Sequence, residues 1–294
     1  MTLTERLNAY ERLMRLDKPI GILLLLWPAL WGLWFAAYGI PATDILMVFV
    51  AGTVLVRSAG CVVNDFADRD FDPYVARTRD RPLAARVIPP WEALVLAGAL
   101  FLAALIFVLH LNRLTVMLSI IALGLALIYP FLKRRFSFPQ AWLGIAFGFS
   151  IPMAFAAQNG KVAPLAWLLL IANMFWAIAY DTEYAMVDRE DDKRIGLKSS
   201  AILLGRYDVA AVMASHSLFL VLMAIAGWRH LLGVVYFAGL LAAAGLVAYQ
   251  YWLIRGRERD ACFRAFLNNN WVGFAIFFGL AADRYFRMPA VGAG

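Results

Sequence analysis

Two groups of carboxylates, each at the end of a hydrophobic segment, are the residues of this chain best suited to chemistry. The first acidic cluster has the pattern Asn64-Asp65-x-x-Asp68-x-x-x-Asp72, and the second acidic cluster runs from 181 to 192. They contain four and six acidic residues, half of the twenty in the chain. Carboxylates crowded at a membrane boundary repel one another and are costly to desolvate. The clusters therefore predict a strongly positive partner, most simply a divalent metal ion.

Helical spacing places most acids of the first cluster on one face. At 100° per residue, an arc of about 100° collects five side chains: Arg57, Asn64, Asp65, Asp68 and Asp72. Asp70 falls on the other side of the helix. Because Pro73 disfavours helical geometry at the residue before it, we expect the helix to end at Asp72.

The second cluster forms a similar stripe on its own helix. Its members are Asp181, Asp188 and Asp192, flanked by Tyr184 and Asp191. Glu183 and Glu190 point to the opposite side. Charge runs are usually solvated helix ends, but such ends do not sort their carboxylates onto one face. Two oxygen-bearing stripes fit Mg²⁺, which keeps waters and substrate phosphates in its shell, so a diphosphate is the expected substrate group.

Cations near the clusters suggest where anionic groups bind. Arg57 lies about two turns inside its segment and is costly there unless paired or wetted, which predicts a seat for a substrate carboxylate. A buried ion pair with a neighbouring acid is the alternative. Lys133, Arg134 and Arg81 are candidates for neutralising a departing diphosphate, although membrane anchoring by positive charge also explains such residues.

Composition requires these residues to be positioned by membrane helices. Of 294 residues, 63% are hydrophobic and 16% charged, far from soluble globular usage. The sequence predicts an all-α integral membrane protein that forms one polytopic domain over 1–294. Nine apolar segments are long enough to approach or cross the bilayer: 20–39, 44–63, 91–110, 114–132, 141–158, 164–181, 208–228, 232–253 and 268–286. Asn268 to Asn270 stand at the start of the last one, where we expect a helix cap.

The distribution of Lys and Arg predicts the orientation. The amino-terminal tail and alternate loops carry 21 of these residues, whereas the other side carries five. Positive charge accumulates in the cytoplasm, which places the amino terminus and both clusters there and the carboxyl terminus outside. The pI of about 9.6 follows from this asymmetry and can favour an anionic lipid surface, so it does not indicate nucleic-acid binding.

The two clusters closely resemble the signature sequences of UbiA-type membrane prenyltransferases. The first is followed by Arg77-Thr and Arg81-Pro-Leu, and the second reads Asp181-Thr-Glu-Tyr-Ala-Met-Val-Asp188-Arg-Glu-Asp-Asp192. The resemblance implies nine helices around a central cavity with cytoplasmic cap loops, Mg²⁺ between the motifs, and a lateral opening for the prenyl chain. It also implies a bacterial inner membrane location.

The resemblance further implies roles for individual residues. Metal and diphosphate would be held by Asn64, Asp68, Asp72, Asp188 and Asp192, of which the four aspartates are the expected catalytic residues. Substrate contacts are expected from Arg57, Asp65, Lys133, Arg134, Asp181, Tyr184 and Asp191. Among these, Arg134 matches the diphosphate position and Arg57 matches the position that holds an aromatic acid's carboxylate.

The expected reaction is Mg²⁺-dependent transfer of a polyprenyl group from polyprenyl diphosphate to the 3-position of 4-hydroxybenzoate. One alternative is another aromatic acceptor, such as homogentisate or a dihydroxynaphthoate. Another is a cation-coupled transporter, since intramembrane carboxylates also mark ion pathways. The acids lie at one membrane face and no pair of broken helices stands out, which disfavours transport.

The helical faces predict a pattern of mutational effects. Asp68→Ala and Asp188→Ala should abolish metal-dependent prenylation, because they remove oxygen ligands from the stripes. Asp70→Ala and Glu183→Ala should leave most activity, because both side chains lie off the stripes. Initial rates of the purified variants test this pattern, and equal damage from all four changes would contradict the two-stripe arrangement.

Overall fold

The computed structural model describes residues 2–74, 78–132, 138–194, 196 and 199–287. These residues form α-helices and short 3₁₀ turns, with no β-strand among them. The α-helices, in chain order, are α1 (Leu3–Leu13), α2 (Ile20–Ala37), α3 (Thr43–Asp68), α4 (Pro90–Val108), α5 (Arg113–Leu132), α6 (Gln140–Gly148), α7 (Ser150–Asn159), α8 (Pro164–Arg194), α9 (Ser200–Leu204), α10 (Asp208–Arg229), α11 (Val234–Ile254) and α12 (Arg259–Phe286).

The predicted membrane spans agree closely with these helices. Eight helical segments within the described ranges are long and apolar enough to cross a membrane, with α6 and α7 counted together. The shorter apolar helix at Arg113–Tyr129 corresponds to the fourth predicted span. Helices suit a bilayer because every backbone polar group is bonded within the segment. The expected all-α membrane fold is confirmed, and about nine spans is close to the number found.

The spanning helices close into a ring. Starting from α2, each helix packs against the next along the chain, through α3, α4, α5, the α6–α7 pair, α8, α10 and α11 to α12. The last helix, α12, then packs against α2 and closes the ring. It also packs against α8. α8 packs against both α10 and α12, and α12 packs against α2, so these four helices form one side of the bundle.

Aromatic stacking and close backbone approach fill that side. The rings of Trp31, Trp176 and Phe219 lie 5.1 to 5.7 Å apart and all three residues are buried. On α11 and α12, a Cβ added at Gly239 would stand 2.9 Å from the Cα of Gly279. Small residues of this kind let membrane helices approach closely.

The predicted start of the last span is wrong by nine residues. α12 begins at Arg259, so the three asparagines lie within the helix and do not cap it. Each bonds to a different helix, because a polar side chain in a bundle needs an interhelical partner. The hydrogen bonds are Gln250 Nε2 to Asn268 Oδ1 (3.0 Å), Asn269 Nδ2 to Glu183 Oε2 (2.7 Å), Trp176 Nε1 to Asn269 Oδ1 (2.9 Å) and Trp27 Nε1 to Asn270 Oδ1 (3.0 Å).

The predicted end of the first cluster's helix is also wrong. α3 stops at Asp68, and a separate 3₁₀ helix spans Asp72–Tyr74. The chain turns back here because the Asp72 carbonyl accepts a hydrogen bond from the Thr78 hydroxyl at 2.9 Å. Pro73 cannot continue an α-helical hydrogen-bond ladder. Asp72 therefore belongs to the connection that follows α3 and does not continue its face.

Candidate functional site

An arginine bridges the carboxylates of the first cluster. Arg81 Nη1 lies 3.0 Å from Asp65 Oδ1 and 2.9 Å from Asp72 Oδ2. Arg15, at the end of the amino-terminal region, places its Nη2 3.0 Å from both oxygens of Asp65. Asp65 is 1% exposed, and a carboxylate so buried requires charge compensation. These two arginines bring the turn after α3 and the segment after α1 onto the cluster.

The electrostatics of Asp72 favour a bound cation. Burial raises the pKa of the Asp72 carboxyl above its ordinary value, and the neighbouring Asp65 and Asp68 carboxylates raise it further, while Arg81 opposes them. The charged form of Asp72 is thus incompletely compensated by the protein alone. A divalent cation beside these oxygens would relieve the repulsion.

A second arginine reaches the acids of the second cluster. Arg259 Nη2, in the first turn of α12, lies 3.0 Å from Asp191 Oδ2 and 3.8 Å from Asp188 Oδ1. Asp191 Oδ1 lies 3.9 Å from Arg194 on its own helix. On the same helix, the ring of Tyr184 packs 4.6 Å from that of Phe266 of α12. The amino-terminal part of α12 therefore borders this cluster.

Side chains of α3, α5 and α8 connect the two acid-bearing helices electrostatically. α3 packs against α2, α4 and α5, whereas α8 packs against α6, α10 and α12. The Tyr129 phenol of α5 lies within electrostatic range of Asp68 and Arg57 on α3 and of Asp181 on α8. Tyr180 of α8 likewise interacts with Arg57. Arg57 and Tyr129 thus lie between the two acid-bearing helices.

Arg57 has no carboxylate partner among the described residues. Its Nη1 contacts Cys61 Sγ at 2.7 Å, its guanidinium lies 5.8 Å from the centroid of Phe147, and its Nε is buried with no hydrogen-bond partner. A Cβ at Gly21 would stand 2.5 Å from Arg57 Nη2, so glycine at this position makes room for the guanidinium. The alternative of an ion pair with a neighbouring acid is not what the described residues show.

The burial of the acidic residues agrees with the predicted faces. Asp188 is buried, and half-buried positions are taken by Asn64, Asp68, Asp181, Asp191 and Asp192. Asp70 and Glu190 are exposed and pair with Arg69 and Lys193. Asp70 and Glu190, which were predicted to lie off the stripes, therefore point to the surface.

The donor set fits magnesium bound together with a phosphate ligand. The polar atoms of both clusters are carboxylate and amide oxygens, which Mg²⁺ prefers, and it is commonly held by one or two carboxylates plus substrate phosphates. No group of three or more His, Cys, Asp or Glu side chains within the described ranges is close enough to hold an ion. Within the clusters, Arg81 pairs with Asp65 and Asp72, and Arg259 pairs with Asp188 and Asp191. Lys133 and Arg134 lie outside the described residues.

Glu183 has a different role from the one its position off the stripe suggested. It is fully buried, accepts the hydrogen bond from Asn269 at 2.7 Å, and its Oε1 lies 3.6 Å from His216 Nε2 of α10. It thereby connects the back of α8 to α10 and α12. Its position off the stripe agrees with the predicted helical angle, which identifies the side of a helix but not what packs there.

Sequence reasoning also missed Arg15 and Arg259 as partners of the acids. Both belong to the Lys and Arg residues of the amino-terminal tail and alternate loops, which predict the orientation of the chain. Their contacts span 50 and 68 residues of sequence, respectively, and no local spacing indicates such pairs. The only available signal was that a buried acid stripe requires cations from elsewhere.

Comparison with known proteins yields a consistent set of relatives. The model of the UbiA prenyltransferase family matches residues 25–278. The 4-hydroxybenzoate octaprenyltransferase of Nitrosomonas europaea is 59% identical over 287 residues, covering 98% of each chain. That of Nitrosospira multiformis is 61% identical over 287 residues, covering 98% of this chain and 99% of the relative.

Solved structures share the fold. The apo structure of a UbiA homolog from Aeropyrum pernix K1 has a TM-score of 0.78 and 26% identity, and the match covers 89% of this chain and 97% of that one. A UbiA homolog from Archaeoglobus fulgidus bound to GPP and Mg²⁺ has a TM-score of 0.66 and 18% identity, with 92% and 99% covered. The ring of helices is thus the architecture of these proteins as well.

The buried position of Glu183 predicts a loss of stability upon its removal. Glu183→Ala removes the shortest hydrogen bond of the Asn269 amide and leaves it only the Ala265 and Phe266 carbonyls of its own helix. Loss of this bond between α8 and α12 costs about 1 kcal/mol, so the thermal midpoint in detergent should fall by a few degrees. Glu183→Gln retains an acceptor oxygen and should fall less. Glu190→Ala, on the same helix but exposed, is the matched control and should behave as the unaltered protein. Equal midpoints for Glu183→Ala and Glu190→Ala would contradict the structural role.

Proposed function

This chain belongs to the UbiA prenyltransferase family, and we propose that it transfers a polyprenyl group from polyprenyl diphosphate to the 3-position of 4-hydroxybenzoate, releasing diphosphate. It is an aromatic prenyltransferase that acts in ubiquinone biosynthesis. Relatives that are about 60% identical over nearly the whole chain carry the name of this activity. Identity of this degree over nearly the whole chain supports the same acceptor.

The observation that carries the acceptor assignment is the state of Arg57. A guanidinium with a buried, unbonded Nε and no acidic partner in the described part of the chain offers an anion site between the clusters. Arginine binds carboxylates through its planar fork, and Phe147 beside it provides a ring surface. An aromatic acid presents both a carboxylate and a ring, so 4-hydroxybenzoate suits this position.

The acidic clusters supply the site for the diphosphate. We assign Asn64, Asp68 and Asp72 to one side of the diphosphate, and Asp188 and Asp192 to the other. When bound there, Mg²⁺ supplies charge neutralisation for the leaving diphosphate. Asp65 contributes by holding Arg81 and Arg15 at the first cluster. We assign Asp181 and Tyr184 to substrate contacts on the same stripe, and Lys133 and Arg134 to the diphosphate.

The reaction is an electrophilic aromatic substitution. The bond between the allylic carbon and the diphosphate oxygen breaks, and the ring carbon ortho to the hydroxyl forms a bond to that carbon. The same ring carbon then loses its proton, which passes to solvent as the diphosphate leaves, and the ring regains its aromaticity. Arg57 holds the carboxylate at the far end of the ring and so directs the ortho carbon towards the diphosphate. Tyr180, which is buried beside Arg57, helps to exclude water that would otherwise capture the allylic cation.

The site is proposed to face the cytoplasm from the inner membrane of a bacterium. The excess of Lys and Arg in the amino-terminal tail and alternate loops supports this orientation, which leaves the carboxyl terminus outside. A soluble aromatic acid then reaches Arg57 from the cytoplasm. The polyprenyl chain remains among the apolar helices, with the whole chain acting as one membrane domain.

The proposed activity is tested with purified protein in detergent. 4-Hydroxybenzoate and a polyprenyl diphosphate with Mg²⁺ should give the 3-prenylated acid by mass spectrometry, and excess EDTA should stop the reaction because the diphosphate is no longer neutralised. Homogentisate and a dihydroxynaphthoate serve as competing acceptors. Preference for either of them, or cation uptake into vesicles without any prenylated product, would overturn the proposal.

Arg57 should separate the two substrates kinetically. Arg57→Ala removes charge-assisted hydrogen bonds worth about 1.5–3 kcal/mol, so we expect the KM for 4-hydroxybenzoate to rise roughly 10- to 100-fold. The KM for the prenyl diphosphate should change little. Arg69→Ala is the control, because Arg69 lies just after the same helix but stacks on Phe66 at the surface. Equal damage to both substrates in Arg57→Ala would refute the assigned role.

A further inference from the structure

Arg259 places a positive charge beside two carboxylates of the second acidic cluster, one of which, Asp188, the proposed function assigns to the metal. Its Nη2 donates to Asp191 Oδ2 at 3.0 Å and lies 3.8 Å from Asp188 Oδ1. The side chains of the two acids are 12% and 13% exposed, whereas that of Arg259 is 47% exposed. The acids are therefore fixed within the bundle, and the arginine approaches them from the surface.

A buried ion cluster holds the segment that carries Arg259. Asp208, which is fully buried at the start of α10, accepts hydrogen bonds from Arg257 at 2.8 and 3.0 Å and from Arg189 of α8. Arg257 adopts a left-handed conformation with φ of 58°, which costs energy in a residue other than glycine. The bonds to Asp208 hold it there. This connection positions α12 so that Arg259, two residues later, reaches α8.

We propose that Arg259 is an internal counter-cation that occupies the second acidic cluster until the prenyl diphosphate arrives, so that metal and donor bind cooperatively. This inference rests on the proposed function, because it assumes that Asp188 takes part in binding the metal. The inference concerns the order in which metal and donor bind and the coupling between them. The resemblance to the UbiA family assigns no residue to that coupling.

The charge and the exposure of Arg259 both suit this role. A cation within 4 Å of a carboxylate disfavours the approach of a second cation to the same oxygen. Arg259 is half-exposed, so its pairing is weak enough to be exchanged. A diphosphate offers guanidinium a stronger, bidentate partner than a single carboxylate. Donor binding would therefore draw Arg259 away from Asp188 and remove one positive charge from beside that carboxylate, which favours the approach of the metal.

Cooperativity of this kind has a measurable form. If the donor releases Arg259 from the acids, it raises the affinity for metal, and by linkage the metal raises the affinity for the donor by the same factor. Removing the arginine should abolish much of this coupling. The metal should then bind more tightly in the absence of donor, which is opposite to the usual effect of damaging a binding site.

The test is a Mn²⁺ titration of the purified protein in detergent, followed by electron paramagnetic resonance. It is performed with and without geranyl thiolodiphosphate, an analogue whose leaving group does not depart readily. Arg259→Gln and Arg259→Ser remove the charge, and Arg259→Lys retains it. Arg255→Gln is the matched control, because Arg255 lies in the same connection and stacks on Trp252 at 4.1 Å. The control loses the same charge.

Without the analogue, Arg259→Gln and Arg259→Ser should lower the dissociation constant for Mn²⁺ by roughly threefold to tenfold. The enhancement of Mn²⁺ binding by the analogue should shrink by a similar factor. Arg259→Lys and Arg255→Gln should stay near the unaltered protein. An unchanged or weaker affinity in both charge-removing variants would overturn the inference while leaving the proposed function intact.

Failure of the proposed metal site gives a different result. If Asp68→Ala and Asp188→Ala bind Mn²⁺ as the unaltered protein does, or if no form binds it, the assignment of the clusters to metal is wrong and the inference falls with it. Thermal midpoints of all variants, measured in the same detergent, establish that each is folded before its titration is compared.

Discussion

The mutual repulsion of carboxylates in a poorly hydrated setting is the constraint on which the rest of this structure depends. One stripe of acids lies on α3 and the other on α8, and each would be unstable without nearby positive charge. The chain meets this need with arginines outside both helices, Arg15 and Arg81 for one stripe and Arg259 for the other. The connections between helices are therefore parts of the site.

The opposite face of α8 is equally constrained. The second acidic stripe consists of Asp181, Asp188 and Asp192. The stripe keeps its orientation only if the back of its helix, α8, is fixed. Glu183 fixes it through Asn269, which also receives the Trp176 indole. Glu183 and the stripe are on the same helix, α8. A rotation of α8 that broke the hydrogen bond of Glu183 would therefore also turn the stripe. Stability and function are thus coupled through the orientation of a single helix.

Local pattern predicted much of this molecule. The all-α membrane fold, the positions of the spans and the outward direction of Asp70 and Glu190 all follow from hydropathy and helical angle. The end of α3 and the interior position of Asn269 did not, since both depend on partners elsewhere, such as Thr78 and Glu183. Periodicity shows which side chains share a face. It does not show which remote arginine or amide meets them.

The closure of the ring by α12 has a consequence for biosynthesis. A chain is made from its amino terminus, and its parts fold in that order, so α12 enters the bilayer after the other helices described here. Until it does, Glu183 has no amide partner, the gap between α2 and α11 is open, and the second cluster lacks Arg259. An unfinished chain therefore holds exposed polar groups within the membrane. Completion of the last helix seals the bundle and assembles the site in a single late event.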